Sequence, residues 1–114
     1  MAEGTPHAGE MAPAQAVRLR DLVDYSLGSV VSRTLAKSPA GTLTLFAFDD
    51  GQGLSEHSAP FDAYVTVLEG AVDLVIGGQT VPASEGETVR MPANVPHGLT
   101  ARGRFKMLLT MIRG

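Results

Sequence analysis

Three histidines carry most of the chemistry this 114-residue chain can offer, because it has no Cys. Thiol nucleophiles, disulfides and Cys-ligated zinc or iron–sulfur sites are thereby excluded. His7 stands in an opening rich in Gly, Pro and Ala, without apolar periodicity, and reads as a solvated tail residue. The other two occupy separate stretches, His57 in GQGLSEHSAPFDAYVTVLEG (51–70) and His97 in GETVRMPANVPHGLTA (86–101). Neutral imidazole is the commonest protein ligand for divalent transition metals, and it also serves as a general base. Two such ligands hold a metal poorly, so a third protein group or several waters must complete any site. The competing reading is a pair of half-buried imidazoles hydrogen-bonded to backbone or to a carboxylate. Ser55 and Ser58 flank His57, yet they form no nameable Ser-His-Asp arrangement. Phosphate cradles are absent from the pattern, since no Gly-x-Gly opens a helix.

Histidines so far apart in sequence converge only if their strands surround one cavity, and the chain reads as a set of short strands. Gly and Pro number 13 and 7, together well above the roughly 12% average, and turn signals recur every 8–12 residues or so. Ser29–Ala36 carries β-branched residues and ends at Ser38-Pro39-Ala40-Gly41. Thr42–Phe48 alternates up to the turn cluster Asp49-Asp50-Gly51. Ala63–Leu68 runs to Glu69-Gly70, and Val72, Leu74 and Ile76 then alternate with Asp73 and Val75. Gly77-Gly78 before Thr80-Val81 is a two-residue hairpin signal, because both positions accept positive φ. Thr88–Met91 and Phe105–Ile112 complete the set. In the last, Phe105, Met107, Leu109 and Met111 share one face and Lys106, Leu108, Thr110 and Ile112 the other. The stretch 14–25, AQAVRLRDLVDY, fits neither the helical nor the strand period, so a short helix and an edge strand both remain open. The expectation is an all-β chain, a flexible tail over 1–13 followed by one antiparallel barrel over 14–114.

Composition narrows the partners. A formal charge of −3 without any run of like charges argues against nucleic acid, whose phosphates need a basic patch. No apolar run approaches the 18 or more residues of a membrane span. The first residues lack the basic and apolar regions of a secretory signal, so the cytoplasm is the expected compartment.

The two His-bearing stretches resemble the paired motifs of the cupin superfamily. The first family motif runs Gly, five residues, His-x-His, three or four residues, Glu, six residues, Gly; Gly51, His57 and Gly70 match it, and Tyr64–Gly70 resembles the family's YVLEG ending. The second runs Gly, five residues, Pro-x-Gly, two residues, His, three residues, Asn; Gly86, Pro92 and His97 match it. The resemblance implies a single-domain cupin, a double-stranded β-helix of the jelly-roll kind. It also implies a metal held by two His and a Glu of the first motif and the His of the second. Here the second His position is Ala59 and the Glu position Ala63, while Asn94 and Ala101 stand where Gly and Asn are usual. Of the usual ligands only His57 and His97 carry over.

A third ligand would have to be Asp62, Glu56 or water. Alternation turns Asp62 away from the face of Ala63, though a bulge at Pro60 could re-aim it, and Glu56 points away from His57 by the same rule. The prolines of Pro92–His97 preset that loop and should hold His97 rigidly at the barrel mouth. Met91, Met107 and Met111 would give the cavity a soft lining, while Phe46 and Phe48, or else Leu43, Leu45 and Ala47, face inward with them. Tyr64 reads as packing more than as a ligand contact. The expected function is binding of an unidentified small molecule around His57 and His97, with a weakly held divalent transition metal and no organic cofactor. In the alternative, the two alanines leave the cavity larger and drier, and the chain is a metal-free binding module or a dimerising unit. A homodimer is expected in either case, paired through the strand Val30–Ala36.

Overall fold

The structure, a computed structural model, describes residues 9–113. His7 and the first part of the expected tail lie outside the described residues. Seven strands follow one another: β1 Val30–Ser38, β2 Gly41–Phe48, β3 Gly53–His57, β4 Asp62–Ile76, β5 Gln79–Ser84, β6 Thr88–Met91 and β7 His97–Ile112. All pairings are antiparallel, and the architecture is the all-β jelly-roll barrel that the motifs imply.

Two long strands organise it. β4 and β7 pair along nearly their whole length, and β2, β3, β5 and β6 each pair with one of the two. The first half of β4 pairs β6 and the second half pairs β5, while β7 pairs β3 near His97 and β2 near Ile112. The sequence pattern breaks β4 at Glu69-Gly70, and the structure shows a bend there instead of a turn. Ala63, Val65 and Val67 are buried before the bend, Val72 and Leu74 after it, so the inward face moves from odd to even positions. A bulge that inserts an unpaired residue does this, since side chains alternate with a period of two. Gly70 permits it: its φ is +81°, and a Cβ there would lie 2.2 Å from the carbonyl oxygen of Arg104.

Two hydrophobic layers result. Inside the barrel, Phe48, Phe105, Val65, Leu74 and Met107 are fully buried, and Phe48 stacks between Phe46 and Phe105 with ring centroids 5.8 and 5.1 Å away. Outside it, Val23, Leu35, Leu45 and Ala47 form a second cluster beneath the segment 11–25. Of the two alternatives for β2 the phenylalanines are the inward set, and Leu43, Leu45 and Ala47, on the opposite face by alternation, lie under the outer layer instead. The open choice for 14–25 resolves to the short helix, held to a single 3-10 turn, Leu19–Leu22, in otherwise irregular chain, and no edge strand forms there. Its apolar side chains follow the sheet surface they cover rather than a helical or strand period. The part of the expected tail that is described touches the sheet as well, with Met11 in the outer cluster and the Gly9 carbonyl accepting from Arg33 Nε at 2.8 Å.

Candidate functional site

β3 and β7 bring the two histidines side by side. His57 closes β3, His97 opens β7, and the two are direct cross-strand partners. Their ring centroids stand 4.5 Å apart with planes at 67°. His97 is buried at 6% exposure, whereas His57 is open to solvent, so the pair spans the rim of a cavity. His57 Nδ1 lies 2.9 Å from the carbonyl oxygen of Ser55, and His97 Nδ1 lies 3.1 Å from that of Val95. A carbonyl can only accept, so each Nδ1 carries a proton, and in the neutral ring the lone pair then lies on Nε2. Neither Nε2 is hydrogen-bonded among the described residues. Of the two sequence readings, the geometry shows the backbone-bonded one for both rings.

The loop before His97 is held as its prolines suggest. Ala59 O accepts from Asn94 N at 2.7 Å, Pro96 O accepts from Gly77 N at 2.8 Å, and Asp62 Oδ1 accepts from Ala93 N at 2.9 Å. Asn94 takes a positive φ of 66°. Asn is among the few residues that tolerate this left-handed conformation, which explains how it stands where the family motif has Gly.

Behind the pair lies a cavity of about 50 Å³, lined by Ala59, Ala63, Met91, Met107 and Met111 together with Leu54, Gly98, Leu99 and Leu109. Ala59 and Ala63 do face it, so the register across Pro60 is the one the motif implies. The expectation of a larger cavity is corrected. The methionines and leucines fill most of the space, and the remaining volume is far below the roughly 300 Å³ of an ordinary small-molecule pocket. It is enough for one ion or a water or two.

Neither candidate for a third ligand joins the histidines. The Asp62 carboxylate is committed on the opposite face, to the Ala93 amide and to Arg90, whose Nη2 donates to Oδ2 at 3.0 Å. The Ala93 amide first, and the Arg90 guanidinium after it, hold this carboxyl below the usual carboxylate range. Glu56 is exposed. Among the described residues no three His, Cys, Asp or Glu side chains come together as a metal site. Tyr64 also lies outside the cavity, lining a shallow external groove with Phe61 and Asp62.

The sequence left Leu54 and Leu99 unremarked, although both lie inside the motif stretches; only the β3–β7 pairing, which places them opposite each other, turns them to the cavity. It also left out a polar cluster on the outer face of β7. There buried Lys106 donates from Nζ to Arg20 O at 2.7 Å, and Tyr25 donates to Glu69. The one signal was a lysine inside the apolar run FKMLLTMI.

A family model described as a cupin domain matches residues 44–113. Among solved structures, a conserved protein of unknown function from Streptococcus pyogenes is 33% identical, with 98% of each chain covered and a TM-score of 0.90. A cupin superfamily protein from Desulfitobacterium hafniense is 26% identical over 92% of this chain and 96% of its own, with a TM-score of 0.87. A cupin 2 conserved barrel domain protein from Leptotrichia buccalis is 37% identical over 82% of this chain and 46% of its own, with a TM-score of 0.80. No curated protein matches the sequence. No helix among the described residues is long and apolar enough to cross a membrane.

Proposed function

This chain belongs to the cupin family, and from that premise we propose that it is a binding domain whose site is the cavity mouth at His57 and His97. The carrying observation is the double commitment of Nδ1 to backbone carbonyls, which leaves two Nε2 acceptors on neighbouring rings at the rim. A ligand that offers hydrogen-bond donors to both imidazoles, with a small apolar group toward Met107 and Leu99, suits that arrangement. The bulk of such a ligand stays at the mouth, because the cavity behind is only about 50 Å³. Among the described residues no Cys, Asp, Glu or further His groups with the pair, and the two imidazoles themselves support a binding role.

The family's usual divalent metal does not fit the donors present. Two neutral imidazoles without a carboxylate leave most of the coordination sphere to water, and an ion held so is held weakly.

The test follows the imidazoles by NMR while small alcohol and amine fragments of a few heavy atoms are added to tag-free protein. The expected result is that some of them shift the His57 and His97 ring signals, and that His57→Ala and His97→Ala abolish binding. Fragments that bind only at the groove by Phe61 and Tyr64, with the ring signals unmoved, would overturn the assignment.

A further inference from the structure

We propose that the cavity behind His57 and His97 binds a soft monovalent cation, Cu(I) or its analogue Ag(I), through the two Nε2 atoms and the thioether of Met91 or Met111. The proposal rests on the reading that this histidine pair is the binding site, and it adds the class of ion.

Register supplies the main observation. Ala63, at the position where the family motif has a Glu, pairs with Met91 on β6 and with Met111 on β7. The methyl group thus stands between two methionines on neighbouring strands, and both side chains line the cavity with the histidines. Where the family motif has a carboxylate side chain, the two register neighbours of Ala63 are methionines that line the cavity. Met107 lines the same cavity, so three of the chain's five methionines gather at this one place.

Charge favours the monovalent ion. Every donor here is neutral: two imidazoles and thioethers. Of the two carboxylate candidates, Asp62 is tied to Arg90 and the Ala93 amide on the other face, and Glu56 is exposed. The cost of moving an ion out of water rises with the square of its charge, so a divalent ion is penalised about fourfold more in an apolar cavity with no anion to offset it. Ligand softness points the same way, since thioethers select Cu(I) over Zn(II), Ni(II) or Mn(II). The size agrees too, because a cavity of about 50 Å³ admits a bare ion with at most a water or two. Ring centroids 4.5 Å apart lie within the span that one ion bridges at the usual ~2 Å metal–nitrogen bond.

The experiment titrates the tag-free chain anaerobically with Cu(I) against a chromophoric Cu(I) chelator, and in parallel with Zn(II) and Ni(II). One equivalent of Cu(I) is expected, with X-ray absorption showing nitrogen and sulfur scatterers together. Met91→Leu with Met111→Leu keeps the volume nearly unchanged, so the fold should persist. That double variant should lose the sulfur scatterer and weaken Cu(I) binding at least 100-fold, while donor fragments still shift the histidine rings. Copper bound by nitrogen alone, equal affinity for Zn(II), or undiminished binding in the double variant would overturn the proposal. If Cu(I) fails while the fragments still bind, only the ion assignment falls; if both fail, the histidine site itself is wrong.

Discussion

The two faces of β7 use polar side chains in opposite ways. On the outer face, Lys106 is buried, donates to Arg20 O, and holds its ammonium 4.9 Å from the centre of the Tyr25 ring. Arg104 covers the same ring at 5.0 Å, and the Tyr25 hydroxyl donates to Glu69. From β1, Arg33 reaches the carbonyls of Gly9 and Leu22. These bonds join side chains of the barrel to the segment 9–25, and they are used up within the chain. On the inner face, His57 and His97 spend Nδ1 on the backbone, and neither Nε2 is hydrogen-bonded among the described residues. A polar group satisfied by the fold contributes to stability, whereas one the fold leaves half-satisfied is available to a ligand. The contrast separates what holds this protein together from what it can bind.

The largest effect that would test the contrast is a gain at the inner face. Ala59→His with Ala63→Glu rebuilds the family's donor set beside His57, and it should raise Zn(II) or Mn(II) affinity by orders of magnitude, read by calorimetry. An unchanged affinity would mean that the two positions do not face the histidines together.

Next in size is a loss at the outer face. Lys106→Met keeps the packing stem but leaves Arg20 O without the Lys106 ammonium and removes one of the two cations over Tyr25. Denaturant unfolding should show a loss of about 2 kcal/mol. His57→Ala, made on an exposed ring, should change stability by less than about 0.5 kcal/mol. Equal losses from the two would erase the distinction between the faces.

The smallest effect depends on pH. Burial first, and then the hydrogen bond to Glu69, push the Tyr25 phenol well above its ordinary range. Folding therefore favours the protonated phenol, and the stability it contributes is complete below the unfolded value near 10 and is lost as pH rises toward the folded one. Tyr25→Phe should cost about 1 kcal/mol at pH 8, given the partial exposure of the pair. The gap between the two proteins should narrow above about pH 10, and a gap constant to pH 11 would show that the hydroxyl does not carry the effect.

Much of the barrel was legible because it depends on local alternation. Phe105, Met107, Leu109 and Met111 share the inner side of β7 as their spacing required, and Gly77-Gly78 does connect β4 to β5. The motif spacing likewise placed His57, His97, Ala59 and Ala63 around one cavity. The reading failed where a residue's partner lies far along the chain. Glu69-Gly70 looks like the end of a strand, and only the long pairing with β7 makes it a bend. The outer layer was hidden for the same reason: Tyr25 meets Glu69 across 44 residues, and Lys106 meets Arg20 across 86.

The sequence by itself determined most of the strands, though neither β3 nor the first half of β7, together with the family and the loss of two family ligands, because alternation, motif spacing and residue identity are all local properties. Only the tertiary structure decided that the vacated space is largely filled, that Asp62 turns to Arg90, and that Met91 and Met111 flank Ala63. Each of these depends on cross-strand register, which brings together residues that no local pattern connects.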